Sequence, residues 1–85
     1  MKIVRSIEDQ TGAYCVDFIE DEADRSFTFK VFRKEPEDYG RWSVTADYTK
    51  TRYQTLSDAA EAAGKLIPWL DIRLLHHHGS WPLRP

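Results

Sequence analysis

Residues 2–49 alternate between apolar and polar side chains with a period of two, and from Thr55 the period lengthens to three or four. Successive side chains of a strand point to opposite faces of a sheet, whereas a helix returns to one face every three to four residues. The switch predicts a run of strands followed by one helix.

Residues 2–8 read as a first strand, with Ile3 and Ile7 expected on one face. Asp9-Gln10-Thr11-Gly12 has turn chemistry, glycine being able to take positive φ. In the second strand Tyr14, Val16 and Phe18 share one face, and Cys15, Asp17 and Ile19 share the other. The polar stretch 21–25 is a hairpin loop. The third strand, 26–34, turns Phe27, Phe29 and Val31 one way and Thr28, Lys30 and Phe32 the other. Pro36 and Gly40 interrupt it, because proline cannot donate to a strand ladder. The fourth strand, 41–49, is expected to point Trp42, Val44, Ala46 and Tyr48 inward and Arg41, Ser43, Thr45 and Asp47 outward. Short connections between consecutive strands make the sheet an antiparallel meander.

In TLSDAAEAAGKLIPWL, Leu56, Ala59, Ala60, Ala63, Ile67 and Leu70 recur at helical spacing. Thr55 is the expected N-cap, with Asp58 in the place of a capping-box acid. The small residues Ala59, Ala60, Ala63 and Gly64 suit close packing on a sheet rich in aromatic rings; the chain holds eleven of them. Pro68 either ends this helix near Leu66 or opens a short second helix over 68–75, since proline is tolerated in a first turn; the second is preferred. The expected fold is α+β: a four-stranded antiparallel meander with one C-terminal helix on one face and a short second helix after Pro68. Residues 1–75 form the domain and residues 76–85 a flexible tail.

The chain has 85 residues, the length of one domain. Residues 1–40 carry six Lys/Arg and ten Asp/Glu, and residues 41–85 carry six and four, so the halves differ only from −4 to +2. That gradient is too mild for a basic nucleic-acid footprint. A single cysteine, Cys15, excludes an intrachain disulfide. The start, MKIVRSIEDQ, lacks the apolar core of a signal peptide, and no stretch is apolar enough to span a membrane. Cytoplasmic residence is the expectation.

The run His76-His77-His78 invites a metal reading. Adjacent side chains do not converge, and structural zinc takes four ligands while the only cysteine is about sixty residues away; a solvated chain end is expected instead. Pro82 and Pro85 make a PxxP spacing beside Trp81, short enough to arise by chance. Glu20, Asp21, Glu22 and Asp24 lack calcium-loop spacing and its central glycine, so they read as a solvated hairpin. Cys15 has no sequence neighbour that would lower its pKa, so an inert cysteine is expected. No catalytic motif is present. The expectation is therefore no enzyme, no catalytic or metal-binding residue and no cofactor. A set of Lys30, Lys34, Arg41, Lys50 and Arg52 with Tyr39, Trp42, Tyr48 and Tyr53 forms a basic–aromatic candidate for single-stranded RNA. Asp47, Asp38 and Glu37 lie in the same stretch and weigh against it.

The junction Tyr53-Gln54-Thr55-Leu56-Ser57-Asp58-Ala59-Ala60 resembles the strand-to-helix passage of small bacterial sheet-plus-helix proteins. HicB-type antitoxins are similar there and in their strand-strand-strand-helix order. The resemblance covers about the last third of the chain and implies this layout alone. The glycine–proline loop common in that family is absent, and no functional residue is carried over.

The leading expectation is a non-enzymatic protein-interaction module, bound to itself or to an unknown protein through the open sheet face (Ile19, Lys30, Phe32, Thr45) or through an edge strand. The rival expectation is RNA binding through the basic–aromatic set.

Overall fold

The turns at 9–13 and 21–26 close on their own side chains, so the strands they join pair in chain order. Asp9 Oδ1 accepts from the amides of Ala13 and Tyr14 at 3.1 and 3.3 Å, and Gly12, at φ 74°, donates its N–H to Asp9 O at 3.1 Å. The computed structural model describes residues 1–71 and contains β1 (Lys2–Glu8), β2 (Tyr14–Asp21), β3 (Ser26–Glu35), β4 (Arg41–Asp47) and α1 (Leu56–Leu66), with a single 3-10 turn at Pro36–Asp38. The strands form one antiparallel sheet in the order β1-β2-β3-β4, and α1 packs on β2 and β3. This is the α+β meander expected from the alternation.

The helix forms where expected. Thr55, in extended conformation, accepts the Asp58 N–H on its hydroxyl at 3.0 Å, satisfying one orphan amide of the first turn. Ala59, Ala60 and Ala63 are buried against a core of Ile7, Val16, Phe18, Phe29 and Val31. Phe29 is the hub: its ring centroid lies 5.8 Å from Phe18, 5.0 Å from Tyr48 and 6.3 Å from Tyr53. Tyr53 also exchanges backbone hydrogen bonds with Phe27, at 2.8 and 2.9 Å, which brings the chain back to the sheet before the helix starts. At the other end Pro68 and Trp69 make a turn closed by Leu70 N–H donating to Ile67 O at 3.1 Å. The rest of the expected second helix, the 76–85 tail, the histidine run, Trp81 and the PxxP spacing lie outside the described residues.

Two bulges correct the expected facing. A bulge adds one residue to a strand, and because side chains alternate with period two, everything beyond it changes face. In β1 the pairing jumps from Ile3↔Ile19 to Arg5↔Phe18, so Val4 is the extra residue. Ile7, opposite Val16, is core, whereas Ile3, opposite Ile19, lies on the reverse face; Val4 packs against the core in its place. In β4 the pairing jumps from Val31↔Ala46 to Phe32↔Val44, so Thr45 is the extra residue. Ala46 and Tyr48 pack inward as expected, but Trp42 and Val44 share the reverse face with Lys34 and Phe32. Tyr14, at the start of β2, lies beyond the reach of α1 and is 38% exposed rather than stacked beneath it.

Candidate interaction surface

Cross-strand register arranges the face opposite α1 into rows, since residues directly paired across an antiparallel sheet share a face. One row runs Cys15, Phe32, Val44; the next runs Ser6, Asp17, Lys30, Asp47; a third holds Ile3, Ile19 and Thr28. A polar row is thus flanked by two apolar ones, and Lys34 and Trp42 extend the first. Within the polar row Ser6 Oγ donates to Asp17 Oδ1 at 2.5 Å, and Cys15 Sγ lies 3.3 Å from the same oxygen. Lys34 Nζ stands 5.8 Å from the centre of the Trp42 ring, within cation–π range. Val44 is 51% exposed and Ile3 40% exposed.

Of the four residues expected to form a contact surface, Ile19, Lys30 and Phe32 come together on this face. Thr45 does not belong with them. It sits in the β4 bulge, where its hydroxyl donates to the Val31 carbonyl at 3.3 Å. Val44 and Trp42 occupy the β4 positions of the surface instead. Sequence alternation missed them because residues 42, 44, 46 and 48 are all apolar and read as one uninterrupted face.

Both sheet edges are poor templates for an added strand. Each carries a bulge, at Val4 in β1 and at Thr45 in β4, and charged residues: Lys2, Arg5 and Glu8 on one, Arg41 and Asp47 on the other. Bulges and edge charges are the usual means of blocking edge-to-edge pairing. The basic–aromatic set is split. Lys30, Lys34 and Trp42 share the face opposite α1, while Tyr48 and Tyr53 pack on Phe29 in the core. Arg52 is held by Asp21 at 3.0 Å, Asp24 at 3.6 Å and Ser26 Oγ at 2.8 Å. The acidic hairpin is also neutralised at Glu20 by Lys2 and Arg25, at 3.7 and 3.1 Å.

Among the described residues no group of three or more His, Cys, Asp and Glu is placed to hold a metal, and no helix is long and apolar enough to cross a membrane. A groove of about 600 Å³ beside α1, lined by Arg52, Asp58, Glu61 and Lys65 among others, is open to solvent and mixes both signs of charge.

Three loop carboxylates share one device, accepting hydrogen bonds from a hydroxyl and an amide a few residues on. Burial pushes the Asp9 carboxyl up, but the hydroxyl of Thr11 and the backbone around Gly12–Tyr14 together hold it below the usual value. Asp24 is lowered by the hydroxyl and N–H of Ser26, with Arg52 adding to it. Asp47 is lowered by the hydroxyl and N–H of Thr49, with the charges of Lys30 and Lys50 adding to it. A carboxyl whose pKa is depressed in the folded chain stabilises the fold above its unfolded value, 3.8 here, and that contribution disappears as pH falls through the folded value. Thermal melts should therefore hold steady from pH 7 to pH 5 on this account and drop below about pH 4. The triple variant Asp9→Asn, Asp24→Asn, Asp47→Asn should show a shallower acid drop; an identical one would mean that other groups govern acid stability.

No family model, no curated protein and no solved structure matches this chain.

Proposed function

We propose that this chain is a non-enzymatic protein-interaction module whose contact surface is the sheet face opposite α1. The observation that carries the reading is the apolar set on that face: Ile3 and Val44 are exposed, at 40% and 51%, and Phe32 and Trp42 beside Val44 are half-buried, while Ile19 beside Ile3 is buried. Contiguous apolar surface of this kind marks contact sites, whereas a single exposed apolar side chain does not. The blocked edges favour face-to-face contact over strand addition. Lys30 and Asp47, paired across β3 and β4, would set register, because a partner must meet both signs of charge beside the apolar residues.

The test is capture from lysate by the wild type and by Phe32→Asp, with light scattering on both to read self-association. A charge at the centre of the first apolar row should weaken capture, or a homodimer, at least tenfold, about 1.4 kcal/mol. Equal capture and equal mass for the two proteins would remove the reading. One observation favours a second reading, RNA binding: Lys30, Lys34, Phe32 and Trp42 share one face, and sheet aromatics flanked by lysines stack single-stranded bases. It predicts salt-dependent affinity for a mixed oligonucleotide pool, and no binding at low salt would end it.

A further inference from the structure

Tyr39 stands in the β3–β4 connection with its whole side chain in water, at 103% relative exposure. Its backbone takes φ 56°, a left-handed conformation uncommon for tyrosine and usually filled by glycine or asparagine. A ring so exposed packs on no neighbour, so neither core burial nor turn geometry accounts for a tyrosine here. A residue held in an unusual conformation without a packing reason points to a functional one. The other three tyrosines differ. Tyr48 and Tyr53 pack on Phe29, with ring centroids 5.0 and 6.3 Å from it. Tyr14 is 38% exposed, and its backbone is held in the ladder opposite Arg33.

We infer that Tyr39 is a phosphorylation site, modified by a tyrosine kinase whose substrate cleft is lined by arginine or lysine. An enzyme that works on a phenol must enclose the ring and reach its hydroxyl, and the Tyr39 ring is free to enter. The segment Glu35-Pro36-Glu37-Asp38-Tyr39-Gly40 supplies the recognition chemistry, with acidic residues directly ahead of the target. Glu37 is exposed, whereas Glu35 is engaged by Ser43 Oγ, which donates to it at 2.7 Å. The turn can open locally to fit a cleft. Gly40 N–H donating to Glu35 O at 2.9 Å closes it, Glu35 adds no side-chain cap, and Pro36 has no N–H to donate. In the transfer the phenolic oxygen attacks the γ-phosphorus of ATP. The new Oη–P bond forms as the bond from that phosphorus to the β,γ-bridging oxygen breaks. ADP leaves, and the phenolic proton passes to a carboxylate of the kinase. The product carries an added charge of about −1.5 to −2 on the β3–β4 connection.

The test incubates the full, folded chain with a tyrosine kinase that selects acidic residues ahead of its target and with ATP labelled in the γ-phosphate. Fragmentation mass spectrometry should place the label on Tyr39 and leave Tyr14, Tyr48 and Tyr53 unmodified. Tyr39→Phe removes one exposed hydroxyl, keeps the circular dichroism of the wild type, and should take up no label. The double variant Glu37→Gln, Asp38→Asn should be labelled about tenfold more slowly, because the charge that draws the turn into a basic cleft is gone. An unlabelled wild type, or equal label on Tyr39→Phe, would overturn the site. An unchanged rate in the double variant would overturn its recognition through acidic residues.

Discussion

Phe29→Ala should lower the stability of the fold by about 3–5 kcal/mol. Phe29 is fully buried on β3 and holds three other rings, those of Phe18, Tyr48 and Tyr53. Truncating a buried phenylalanine costs about 3–5 kcal/mol, the lost transfer energy plus the cavity left behind. A chain of 85 residues is stable by roughly 4–13 kcal/mol in total. The damage also spreads, because Tyr53 closes the sheet end through its backbone bonds to Phe27 and Tyr48 donates its N–H to Phe29 O at 3.1 Å. Urea titration followed by far-UV circular dichroism is the measurement. A midpoint within error of the wild type would mean that the ring cluster does not anchor the fold.

Ala63→Leu should destabilise by about 3 kcal/mol, for the opposite reason. Ala63 is fully buried where α1 lies against the sheet, with Ala59 and Ala60 completing the small-residue stripe. The rings of Phe18 and Phe29 already fill the space below, so three added carbons must push the helix away. Glu61→Leu, on the exposed side of α1, places the same side chain in water and should shift stability by no more than about 0.5 kcal/mol. Chemical denaturation of the two variants side by side separates overpacking from helix propensity, since glutamate and leucine are comparable helix formers. Equal losses would show that the close approach of helix and sheet contributes nothing specific.

The contrast between β2 and β4 shows what was legible from residue order alone. β2 pairs with β3 without interruption, so its alternation assigns faces correctly: Val16 and Phe18 inward, Cys15, Asp17 and Ile19 outward. β4 alternates just as cleanly in sequence, yet Trp42 and Val44 lie on one face and Ala46 on the other. The proposed contact surface inherits both outcomes. Its β2 and β3 members, Ile19, Lys30 and Phe32, were predictable, and its β4 members were not. The same limit applies in β1, where Ile3 joins the surface and Val4 replaces it in the core.

Taken by itself, the order of residues determined which segments are extended, where the helix begins, and which helix face is small enough to approach aromatic rings. Those properties are local: a period of two or three to four, a capping threonine, a turn aspartate. Which side of the sheet the edge-strand side chains occupy was decided only in three dimensions. One extra residue at position 4 or 45 reverses the facing beyond it, and its place depends on how a twisted edge strand meets its neighbour rather than on any feature of the strand's own composition.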